Sequence, residues 1–118
     1  MKTIRPHALS LEIAATAFAA LGSEQRLGVL RALVRSGPEG LTIGELGTKT
    51  SISGSTLTHH VKFLTMAGLV HQTKRGRSII CAAVAYDTIH NLSKFLLSEC
   101  CADATGDGHD HASNQGDT

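Results

Sequence analysis

Ser53-Gly54-Ser55-Thr56-Leu57-Thr58-His59-His60-Val61-Lys62-Phe63-Leu64 decides the fold. Leu57, Val61 and Leu64 recur at i, i+4 and i+7, so a helix turning about 100° per residue gathers them into one inward stripe. Ser55, His59, Lys62 and Met66 then point the opposite way, and Thr56, Thr58 and Phe63 flank them. Ser53 is the expected N-cap and Gly68 the stop. Short hydroxyls and a histidine early on an exposed helix face suit base edges in a DNA major groove, while His60 falls nearer the core side.

Working outward, Ser51-Ile52-Ser53-Gly54 reads as a turn, and before it Thr42-Ile43-Gly44-Glu45 has the form of a capping box opening a short helix with Ile43 and Leu46 inward. Two helices across a tight turn make a helix-turn-helix. On the far side, Leu69-Val70-His71-Gln72 and Ser78 through Val84 flank the basic turn Lys74-Arg75-Gly76-Arg77, the pattern of a β-hairpin. Lys74, Arg75 and Arg77 at its tip suit phosphate, which supplies affinity without sequence choice.

Three further helices complete the chain. Leu11, Ala14, Ala15, Phe18 and Leu21 share a helical spacing that Gly22 stops. Ser23 caps a second helix with Leu27, Leu30, Leu33 and Val34 as its stripe, closed by Gly37-Pro38. A last helix runs from about Asp87 to Cys101 with Ile89, Leu92, Phe95 and Leu96. The fold class is therefore mainly α with a small β-hairpin wing, a winged helix-turn-helix. Its apolar terminal helices are expected to form a homodimer.

Composition agrees. The 118 residues suit one domain and leave no room for a cofactor-binding enzyme. Aromatics are only 3% with no Trp, so the core must be aliphatic. No apolar run approaches the about 20 residues of a membrane span, and no signal region follows the basic N-terminus, so the expected location is the cytoplasm. The net charge of +1 hides an asymmetry: all 11 basic residues precede residue 99, leaving that stretch at +6 and the last twenty residues at −5. Residues 42–77 alone hold +4. The expected division is a DNA-binding and dimerisation domain over 1–101 and a disordered acidic tail over 102–118.

These residues resemble the ArsR/SmtB family of metal-sensing winged-helix repressors. Ala20-Leu21-Gly22-Ser23-Glu24-Gln25-Arg26-Leu27 is similar to its entry into the second helix, Ser53 through Leu64 to its recognition helix, and Ala67-Gly68-Leu69-Val70 with Lys74-Arg75-Gly76-Arg77 to its helix exit and wing. The resemblance covers about residues 12–101. It implies a cytoplasmic homodimer that binds double-stranded operator DNA at an imperfect inverted repeat through Ser53, Ser55, Thr56, Thr58, His59, Lys62, Lys74, Arg75 and Arg77, and that effector binding releases.

The effector must be read from this chain. Thr42-Ile43-Gly44 stands where some arsenic sensors carry cysteines, and the i, i+3 spacing of Asp87 and His90 departs from the family's zinc pattern on the last helix. Ser98-Glu99-Cys100-Cys101 instead resembles an arsenic-responsive subgroup with a vicinal cysteine pair. Thiolates are the soft ligands that trivalent arsenic prefers. Adjacent residues on an intact helix diverge by about 100°, so the last turn is expected to fray before both sulfurs can chelate. Arsenite takes a third sulfur, from Cys81 or a small thiol; methylarsenite needs two, and either inducer fits. The alternatives are a divalent metal such as zinc or cadmium, with His109 and His111 as further candidate ligands, or thiol oxidation through Cys81 with Cys100 or Cys101. An arsenate reductase is not expected, because no Cys-x5-Arg or Cys-x-x-Cys occurs.

Overall fold

A computed structural model describes residues 9–104. α1 (Leu11–Ala20) starts where the Ser10 hydroxyl accepts from the Ile13 amide at 3.0 Å, and α2 (Glu24–Ser36) where the Ser23 hydroxyl accepts from Arg26 at 3.2 Å. α3 (Ile43–Thr50) has the full capping box: the Thr42 amide donates to the Glu45 carboxylate at 2.9 Å and the Glu45 amide to the Thr42 hydroxyl at 3.1 Å. α4 (Gly54–Met66) follows Ser53, whose side chain makes no capping hydrogen bond. α5 (Tyr86–Leu97) closes the described chain apart from a run of turns.

The sheet has three antiparallel strands in the order β1-β3-β2, one more than the expected hairpin. β1 (Leu41–Thr42) is only two residues long and pairs Leu41 with Cys81 and Thr42 with Ile80. Gly40 makes this close approach possible: its φ is +73, and a Cβ there would collide with the Cys81 carbonyl. β2 (Val70–Arg75) and β3 (Ser78–Ala83) run in register from Val70–Ala83 to Arg75–Ser78. Lys74 and Arg75 therefore belong to the strand. The turn itself is Gly76-Arg77, with Gly76 at φ +62 in the position where a two-residue hairpin loop favours glycine.

The core is aliphatic as expected, with Leu33, Leu46, Leu57, Leu64, Leu69, Val29 and Val61 fully buried. The α4 stripe is as read from the sequence. Three others differ, the last helix by its exposed Leu96 and the first two helices by more. In α1 the buried residues are Ala14, Ala17 and Ala20, while Leu11, Ile13 and Phe18 face outward and Leu21 is half-buried. Small side chains let this helix lie close to the body. In α2, Val29 joins Leu30 and Leu33 inside, and Leu27 and Val34 are exposed.

The last helix also stops sooner than expected, at Leu97 instead of Cys101. Residues 93–94 and 96–100 are exposed, so the segment gains little from packing, and a short unpacked helix is marginal in water. Successive turns replace it, with Cys100 N–H donating to the Leu97 carbonyl at 3.0 Å and Ala102 N–H to Glu99 at 2.9 Å. The expected disordered tail, with His109 and His111, lies mostly outside the described residues.

Candidate nucleic-acid interface and thiol pair

α3, the turn at Ser51-Ile52-Ser53 and α4 form the helix-turn-helix, and Leu46 of α3 and Leu57 of α4 are fully buried. With Leu57, Val61 and Leu64 pinned inward, Ser53, Ser55, Thr56, Thr58, His59 and Lys62 are all exposed. The Thr58 hydroxyl donates to the Gly54 carbonyl at 2.9 Å, which leaves its lone pairs outward as acceptors. His59 meets the Phe63 ring edge-on, centroids 4.9 Å apart and planes at 87°. Above Phe63 sits the Arg26 guanidinium, 4.8 Å from the ring centre, itself tied by Nε to the Ala20 carbonyl at 2.6 Å. A ladder from α2 thus holds the ring of an exposed histidine on α4.

His60 is buried, on the core side where the helical spacing placed it. Its Nε2 lies 3.1 Å from the Gln25 side-chain oxygen, which can only accept, so Nε2 carries the proton; Nδ1 is buried without a partner. Burial, then the Arg26 charge, then His59 lower the pKa of this imidazole below its ordinary value and keep it neutral near pH 7. Gln25, Arg26 and Phe63 acquire these positions through packing between distant stretches of chain, and no local pattern announced them.

On the wing, Gln72 donates to the Thr65 hydroxyl of α4 at 3.1 Å. Side chains alternate along a strand, so Lys74 shares the α4-facing side with Gln72, and Arg75 lies on the other. Lys74, Arg75 and Arg77 are all exposed.

The third feature is the pair of adjacent thiols. Cys100 and Cys101 lie in the turns beyond α5, and their Sγ atoms are 3.4 Å apart. No fraying is needed: Cys101 adopts φ +66, a left-handed conformation that turns its side chain toward its neighbour. A hydrogen bond with Cys100, then partial burial, then the Cys100 charge raise the Cys101 pKa above the usual thiol value. Cys81 is elsewhere. It is fully buried in β3 opposite Leu41 and Gln72, and burial raises its pKa also. Among the described residues no three His, Cys, Asp or Glu side chains gather into a metal-binding group, so Cys81 does not join Cys100 and Cys101 within one protomer.

Residues 21–73 match the family model described as Helix-turn-helix domain. An uncharacterized HTH-type transcriptional regulator, YceK of Bacillus subtilis (strain 168), is 42% identical over 67 residues, which are 57% of this chain and 66% of that protein. An ArsR-like transcriptional regulator from Rhodococcus sp. RHA1 has a TM-score of 0.61 at 28% identity, over 88% of this chain and 92% of that one. The homodimeric winged helix-turn-helix DNA-binding domain of Mb0332 from Mycobacterium bovis shares the fold, with a TM-score of 0.61 at 20% identity over 80% of this chain and 87% of that one. The fold is a winged helix-turn-helix, and the chain is similar to transcriptional regulators that share it, an ArsR-like one among them. Among the described residues no helix is long and apolar enough to cross a membrane.

Proposed function

We propose that this chain is a transcriptional repressor that binds operator DNA as a homodimer and is released when trivalent arsenic, arsenite or methylarsenite, is captured by Cys100 and Cys101. Ser55, Thr56, Thr58 and His59 read base edges, and Ser53, Lys62 and the wing residues Lys74 and Arg77 hold the phosphate backbone. The exposed apolar side chains of the terminal helices, Leu11 and Phe18 on α1 and Leu96 and Leu97 on α5, supply the dimer surface.

The observation that carries the arsenic reading is the 3.4 Å separation of the two sulfurs. At thiolate–metal bond lengths of about 2.3 Å, that spacing subtends about 95° at a shared centre, nearer the pyramidal angle of a trivalent centre with a lone pair than the tetrahedral angle of zinc. This favours arsenic over the divalent-metal alternative. With Cys81 buried in β3, one protomer offers two sulfurs, which suffices for a monosubstituted arsenical; arsenite completes its third bond with a small thiol. Capture draws protons from both thiols and fixes the turn that follows α5, so the end of a helix in the dimer surface changes.

Titration of a DNA-bound sample with arsenite and with methylarsenite tests this reading. Affinity should fall about 5–150-fold, the usual range for coupled sites. A Cys100→Ser/Cys101→Ser variant that is still released by either compound overturns it.

A further inference from the structure

The two sulfurs are already in contact before any ligand arrives. We propose that Cys100 and Cys101 are also a redox-modification site, closing on each other into a vicinal disulfide that withdraws both sulfurs from trivalent arsenic; the withdrawal, though not the disulfide, rests on the arsenical reading above.

Disulfide formation needs the 3.4 Å separation to shorten to about 2.04 Å, a movement of about 1.4 Å. The backbone is arranged for it. The turn bonds Cys100 N–H to Leu97 O, Ala102 N–H to Glu99 O and Ala104 N–H to Cys101 O hold the segment, and the positive φ of Cys101 brings its Sγ to the side of Cys100. Cys100 is exposed, so an oxidant reaches it first. Its thiolate attacks a small-molecule disulfide of the glutathione type. That S–S bond breaks, one small thiol leaves with a proton, and a mixed disulfide remains on Cys100. The Cys101 thiolate then attacks the Cys100 sulfur and expels the second small thiol. Two protein thiols lose two electrons in all, and one small disulfide becomes two thiols. Cys81 is fully buried between β1 and β2 and offers no competing partner.

The product is reversible for a covalent reason. Adjacent Cα atoms are held about 3.8 Å apart, well inside the 4.4–6.8 Å of ordinary disulfides, and such strain makes a bond easier to reduce. Oxidation therefore suspends arsenical capture, and returning thiols restore it.

The full-length chain, incubated with glutathione disulfide, should lose about 2 Da as a monomer, with both cysteines of the tryptic peptide after Lys94 protected from alkylation and Cys81 alkylated once the protein is denatured. Phenylarsine oxide binding should fall at least about tenfold and return on phosphine reduction. Cys101→Ser should stop at the glutathione adduct. A stable adduct on the native chain, a disulfide-linked dimer, or a bond to Cys81 overturns the proposal. A reduced chain that ignores phenylarsine oxide yet still loses 2 Da overturns the arsenical reading and leaves the disulfide standing.

Discussion

The wing register separates three basic residues that look equivalent along the chain. Gln72 is bonded to Thr65 of α4, and Lys74 follows it on the same strand face, whereas Arg75 points to the opposite side. DNA lying along the exposed side of α4 should therefore meet Lys74 and not Arg75. Removing a cation that neutralises one phosphate flattens the dependence of log affinity on log salt by about 0.9; with one Lys74 in each protomer of a dimer, Lys74→Ala should flatten it by about 1.8. Between about 50 and about 200 mM salt, that amounts to a difference of about 12-fold in how far the affinity falls. Arg75→Ala should leave the slope within a few tenths. Fluorescence anisotropy on a duplex selected by the protein from a random pool, repeated at several salt concentrations, gives both slopes. If Arg75→Ala flattens the slope as much as Lys74→Ala does, the strand-face argument is wrong.

Four further outcomes follow from the packing. Arg26→Ala removes the guanidinium over Phe63 and its bond to Ala20, so it should lower thermal stability by about 1–2 kcal/mol and weaken DNA binding more than Arg26→Lys, measured by calorimetry and anisotropy. His60 is depressed in the folded state, so the unfolded chain takes up its proton first: stability should decline as pH drops below the ordinary histidine value, and a denaturation series from pH 7.5 to 5 should show less decline in His60→Gln. Gly40→Ala forces a side chain into the Cys81 carbonyl at a positive φ and should cost about 3 kcal/mol or more, seen as a lower urea midpoint, whereas Gly28→Ala, which meets nothing within 4 Å, should stabilise. Because Cys101 holds its proton above the usual thiol range, its alkylation rate should still be climbing at pH 9; a plateau below pH 8 contradicts this.

The helix-turn-helix was legible because its signals are local. Leu57, Val61 and Leu64 share a face within one helix, and Thr42 and Glu45 cap each other across a single turn. What could not be read depends on chain brought from afar. Apolar spacing identified α1 but not which side faces in; large residues drew attention, while close approach selected the alanines. β1 is two residues long, below any periodicity, and exists only because Gly40 admits the β3 backbone. The Gln25–His60 pair joins residues 35 apart. At the C-terminus Ser98-Glu99 contains no breaker, so the sequence ran the helix on through the cysteines, and the sulfur geometry that matters most was hidden by that extension.

α1 turns alanines to the body and leaves Leu11, at 76% exposure, and Ile13, at 56%, to the outside. In the homodimer proposed above, that bulk is the part held for association, and the folded population would follow the law of mass action. On that proposal a cell holding few copies would keep fewer of them folded, and dosage itself would set how much regulator survives. Dilution should lower the melting temperature of this protein, and replacing Leu11 with a charged side chain should make that dependence disappear along with the dimer.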